Sequence, residues 1–163
     1  MTLADINAFD RERFIQALGW VFENSPWVAE RAFACKPFRD IEALHHAMTS
    51  QVMQAETEEQ LALLRAHPDL GTRARVSDAS KGEQAGAGLD RLSPDEFERL
   101  TELNTKYRDK FGFPFLFAVK GSTKEQILQA LEKRLQDSRD NEYRVALEQA
   151  SRIARFRLED SLR

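Results

Sequence analysis

The chain has 163 residues, 42% of them apolar and 31% charged, which suits one soluble domain with a buried core. A formal net charge of −3 and a pI near 5.7 remove any electrostatic case for binding nucleic acid. A single cysteine, Cys35, excludes an internal disulfide and cannot by itself make a zinc site.

The start, MTLADINAFD, lacks a basic stretch leading into an apolar run, and no apolar stretch approaches a membrane span. EDSLR is not a peroxisomal address, so the expected compartment is the cytoplasm. DRERFIQALGWVFEN then places Phe14, Ala17, Leu18, Val21 and Phe22 on one amphipathic helical stripe. Ser25-Pro26 reads as the N-cap and first position of a helix through WVAERAFA, whose end holds Cys35 as a packed thiol. Asp40 caps IEALHHAMTSQVMQA. Capping boxes are expected at TEEQ (57–60), SPDE (93–96) and STKE (122–125), and a last helix from about Asn141 to near the end. The arginines of that helix alternate with acids, as on a solvated face. The fold class is all-α: a compact single-domain bundle of about eight to nine helices over residues 1–163.

Two segments break this pattern. HPDLGTRARVSDASKGEQAGAGLD (67–90) holds four of the seven glycines and reads as irregular. Gly82, Gly86 and Gly88 are spaced for close approach of a backbone or ligand, or else for a flexible connector. FGFPFLFAVKG (111–121) alternates with the period of a strand but has no partner for a sheet, and Pro114 argues against a central strand. Its phenylalanines would face one side of an extended chain. The amides from Phe115 to Val119 then need acceptors other than a ladder: a bound ligand, water or side chains.

His45 and His46 are adjacent on a helix, about 100° apart, and cannot face one ligand, so no metal site is expected. His67 ends a helix before Pro68; it is either a structural histidine or an acid/base with a suitable pKa. On the last helix, at 100° per residue, Ala150, Ala146, Ile153 and Tyr143 fall within about 40° of Arg157. An arginine at the centre of an apolar stripe needs an anion. Either a structural carboxylate or a ligand can supply it.

HPDLG, SKGEQAGAGLD, LNTKYRDKFGFPFLFAVKG and IARFRLED, in this order, resemble the 2-oxo-4-hydroxy-4-carboxy-5-ureidoimidazoline (OHCU) decarboxylase family over nearly the whole chain. The resemblance implies an all-α homodimer acting in uric acid degradation without cofactor or metal. It implies catalytic roles for His67, Glu83 and Arg157, and substrate contacts at Pro68, Ser80, Lys81, Gly82 and Gln84. Backbone contacts along Phe115, Leu116, Phe117, Ala118 and Val119 are also implied. The segment TRARVSDA (72–79) is shorter than in some relatives. A helical docking module presenting exposed phenylalanines is the main rival reading, and a related hydrolase or lyase acting on another ureide is the second.

Overall fold

The computed structural model describes residues 1–71 and 77–163; the expected short connection therefore lies mostly outside the described residues. Nine α-helices and no strand are found among the described residues, as the helical periodicity requires. They are α1 (Leu3–Ala8), α2 (Arg11–Leu18), α3 (Trp27–Ala32), α4 (Ile41–Met53), α5 (Thr57–Arg65), α6 (Asp78–Gly86), α7 (Pro94–Phe111), α8 (Lys124–Arg134) and α9 (Arg139–Ser161). The chain divides into two compact units, Met1–Ala66 with Ala150–Arg163, and His67–Gln149.

In the first unit, α2 stops at Leu18 instead of running to Asn24, with Gly19 as its cap. Val21 and Phe22 are nevertheless buried, because the irregular segment that follows turns them inward. Trp27 opens α3, and Ser25 is not its side-chain cap: its hydroxyl donates to the Glu23 carbonyl. Asp40 caps α4 as expected, accepting from the Ala43 amide at 2.7 Å. The packing of Phe14 edge-on to Phe33 and stacked on Phe38 centres the apolar interior. Cys35 is exposed, contrary to the packed-thiol expectation, because a 3-10 turn over Phe33–Cys35 ends α3.

In the second unit, Ser93 and Glu96 form the expected box at the start of α7. The box before α8 begins one residue later than expected, pairing Thr123 with Gln126. Residues 78–86, expected to be irregular, form α6, with the Ser77 hydroxyl accepting from the Ser80 amide at 3.1 Å. The cap and the buried Ser80–Gln84 face outweigh the roughly 1 kcal/mol that each helical glycine costs. Tyr107 on α7 is fully buried and gathers Phe111, Phe113 and Phe115 at centroid distances of 4.5, 6.1 and 5.4 Å.

Candidate active site

The helix-to-loop junction at His67 is well pinned. α5 ends at Arg65, and His67, 6% exposed, starts the second unit. The next residues are held in succession. Asp69 accepts from Arg108 Nη2 at 2.8 Å, the Leu70 carbonyl from Asn104 Nδ2 at 2.9 Å, and the Gly71 amide donates to Gln84 Oε1 at 2.9 Å. Thus α7 and α6 together fix the backbone that carries His67 and Pro68. Gly71 has φ +78°, and a Cβ there would lie 2.6 Å from Leu100 Cδ2, so this position requires glycine.

On α6, Ser80 and Gln84 stand four residues apart on the buried face, with Glu83 half-buried beside them. Lys81 and Gly82 lie on its exposed side. Gln84 spends its carbonyl oxygen on Gly71, and among the described residues its amide nitrogen has no acceptor. A Cβ at Gly82, Gly86 or Gly88 would meet nothing within 4 Å, so close approach of another described segment is not what glycine serves there.

The 111–121 segment is an irregular, sheetless wall. Gly112, in the left-handed region, ends α7, and Phe111, Phe113 and Phe115 are buried. Phe117, half-buried, stacks on Phe115 at 5.8 Å. Leu116, Ala118 and Val119 are buried too, so the covering is two-sided. The rival docking surface needs exposed phenylalanines, and these are not exposed. Part of the backbone is tied by side chains: Arg134 Nη1 donates to the Leu116 carbonyl at 2.6 Å, and the Ala118 amide donates to Gln149 Oε1 at 2.9 Å. Ala118 is therefore removed from the amides expected to be open. Among the described residues, those of Phe115, Leu116, Phe117 and Val119 meet no acceptor.

Behind this wall lies a network that sequence reasoning missed. Glu142, fully buried, accepts from Arg134 Nε at 2.7 Å and from the Tyr107 hydroxyl at 2.5 Å. The Arg134 guanidinium sits 4.5 Å from the Phe115 ring centroid. Burial, then the hydrogen bond to Glu142, pushes the Tyr107 hydroxyl far above its ordinary pKa, so it stays a donor. A signal was present: at 100° per residue Glu142 falls about 60° from Arg157, at the edge of the apolar stripe.

Arg157 stands in the first unit and is 3% exposed, as its helical position predicts. Nη2 donates to Glu23 Oε2 at 2.7 Å, and Nη1 to the carbonyls of Trp20 and Val21 at 3.2 and 3.3 Å. A protein carboxylate therefore meets its charge, and the irregular turn after α2 presents the carbonyls. Arg152 is exposed, and Arg155 pairs with Glu42 and Glu159, so both point away from that stripe. His45 is tied to the Ser151 carbonyl at 2.8 Å. No group of three His, Cys, Asp or Glu that could hold a metal ion is found among the described residues.

Comparison with known proteins supplies the chemistry that this geometry alone does not name. The family model described as OHCU decarboxylase matches residues 7–159. A Halalkalicoccus jeotgali 2-oxo-4-hydroxy-4-carboxy-5-ureidoimidazoline decarboxylase is 49% identical over 160 residues, covering 98% of this chain and 91% of that protein. The Haloferax volcanii protein of the same name is 46% identical, covering 97% and 94%. A crystal structure of (S)-allantoin synthase aligns with a TM-score of 0.80 and 33% identity, covering 99% of this chain and 54% of that one.

Proposed function

This chain belongs to the OHCU decarboxylase family, and from that premise we propose that it converts OHCU to (S)-allantoin in urate degradation, as a carboxy-lyase. The observation that carries this reading is a family match running through nearly the whole chain, joined to relatives matched over almost their full lengths. In the substrate, the carboxylate and a hydroxyl share one ring carbon, and the neighbouring ring carbon belongs to a C=N bond. That bond is an electron sink, so the reaction has no need of a cofactor. His67 takes the hydroxyl proton, with Glu83 orienting the imidazole and stabilising its charged form. The bond to the carboxylate breaks and CO2 leaves. Its electron pair forms a C=C bond to the neighbouring ring carbon, and the C=N pair moves onto the ring nitrogen, which takes a proton. A second proton, delivered to one face of that neighbouring carbon in the resulting enolate, restores the carbonyl and gives (S)-allantoin. Arg157 and the 115–119 backbone hold the ring and ureido oxygens, with Pro68 and the residues from Ser80 to Gln84 lining the substrate.

Burial of His67 beside a backbone pinned at Leu70 and Gly71 supports this assignment, since it narrows the positions open to the side chain. We also propose a homodimer working in the cytoplasm; no described helix is long and apolar enough to cross a membrane. The test generates OHCU in situ from urate and follows circular dichroism. Wild type gives an excess of (S)-allantoin, whereas folded His67→Ala and Glu83→Ala give the racemate of spontaneous decay. Full activity in either variant overturns the role given to that residue, and a racemate from wild type overturns the function.

A further inference from the structure

We propose that Arg134 is a positioning residue which holds and polarises the Leu116–Phe117 peptide, so that the Phe117 N–H is presented to an oxygen of the bound substrate; this rests on the decarboxylase reading. The geometry is local to the second unit. The Leu116 carbonyl and the Phe117 amide belong to one peptide unit, and that peptide is trans. In a trans peptide C=O and N–H point in opposite directions. Arg134 Nη1 approaches the oxygen at 2.6 Å, so the nitrogen's hydrogen points away from α8 and its guanidinium.

The second tether agrees. In an extended chain, the carbonyl of one residue and the amide of the residue two further on lie on the same edge. The Leu116 carbonyl and the Ala118 amide are such a pair, and the side chains of Arg134 and Gln149 hold them. The opposite edge carries the amides of Phe117 and Val119, which meet no acceptor among the described residues. Phe117 is the one residue of 115–119 that is not fully buried.

Arg134 also acts electronically. A cationic donor on a peptide oxygen draws charge through the amide and makes its N–H a stronger donor, because hydrogen bonds in a chain polarise one another. Glu142 and the Tyr107 hydroxyl fix the fork: Nε lies 2.7 Å from Glu142 Oε1, and the ring of Phe115 supports the guanidinium face. The plane of the guanidinium is thus set by helices α7 and α9, and it in turn sets the plane of one peptide in the wall. A fixed donor aimed at a substrate oxygen needs no reorganisation during reaction.

The test uses Arg134→Met and Arg134→Lys in the full chain, with kinetics per folded protein and amide NMR of 15N-labelled samples titrated with (S)-allantoin. The expected result is a kcat/KM about tenfold or more lower in Arg134→Met, the loss expected for a donor to a polar substrate group. Partial rescue by Arg134→Lys is expected. In wild type, saturating (S)-allantoin moves the Phe117 amide resonance together with amides of α6; in Arg134→Met the α6 amides respond and Phe117 does not. Should Arg134→Met fail to fold, Arg134→Lys and the wild-type titration decide. A folded Arg134→Met within twofold of wild type overturns the proposal. So does a wild type that makes (S)-allantoin while its Phe117 amide ignores the ligand. A wild type that gives only racemate strikes the decarboxylase reading itself, and the positioning role falls with it.

Discussion

Gly71 and Gly86 are both glycines near the candidate site, yet alanine should act oppositely at the two. At Gly71 the backbone has φ +78°, where an L side chain costs about 1–2 kcal/mol. The added Cβ also lies 2.6 Å from Leu100 Cδ2 and 3.3 Å from Leu92 Cδ1. Leu100 is almost fully buried and has little room to withdraw, so overpacking adds about 1–3 kcal/mol. At about 2–4 °C per kcal/mol for a chain of this size, Gly71→Ala should lower Tm by about 10 °C. At Gly86, in the last turn of α6, a Cβ meets nothing within 4 Å, and alanine recovers about 0.5–1 kcal/mol of backbone entropy. Its Tm should rise by about 2–3 °C. Calorimetry of both variants and wild type in one buffer gives the comparison. A Gly71→Ala protein as stable as wild type would refute the claim that this turn is held in the left-handed region against Leu100. A Gly86→Ala protein that loses stability would refute the open space around α6. Because the Gly71 amide holds Gln84, the first variant should also lose kcat/KM in the folded state.

Three further outcomes are expected. Glu23→Ala strips Arg157 of its carboxylate and should cost about 3–5 kcal/mol by chemical denaturation, against a smaller loss for Glu23→Gln; an unchanged midpoint for Glu23→Ala contradicts the buried pair. Arg157→Lys replaces a planar fork with a point charge and should raise KM for OHCU; identical KM and kcat would leave Arg157 a purely structural partner of Glu23. Glu96 is held below the ordinary glutamate pKa, first by Lys124 and then by the Ser93 backbone. Its folded-state pKa is lowered, so the stabilisation is present above the ordinary value and is lost as pH falls through the lowered one. Glu96→Gln should therefore be less stable than wild type near pH 6, with the gap closing by about pH 3; a gap independent of pH contradicts the ionic pairing.

Legibility in the sequence followed the range of the physics. The inward Arg157 was readable because helical period is local, and seven or eleven residues along one helix decide which side chains share a face. Its partner Glu23 was not, because the two are 134 positions apart and nothing periodic links them. α6 was misjudged as irregular for the opposite reason. Its glycines argue locally against a helix, while the Ser77 cap and a buried Ser80–Gln84 face argue for one. The end of α2 at Leu18 was hidden because Val21 and Phe22 continue the apolar stripe after the helix has stopped. Catalytic assignments to His67 and Glu83 came from the resemblance, since spacing showed only a helix end and a glycine-rich stretch.

The sheetless wall shows why an all-helical protein gains from one extended segment. In a sheet, an inner strand has both edges taken by neighbouring backbones, and little is left for a ligand. Here side chains replace the ladder on one edge only: Arg134 takes the Leu116 carbonyl and Gln149 the Ala118 amide. Phenylalanine packing around Tyr107 supplies the anchoring that a second strand would otherwise give. Pro114 lacks an amide hydrogen, which removes one ladder donor just before the tethered stretch. Such a segment is tethered along one edge by side chains, and chemically available along the other. The alternation of phenylalanines is thus the sequence mark of a backbone held along one side.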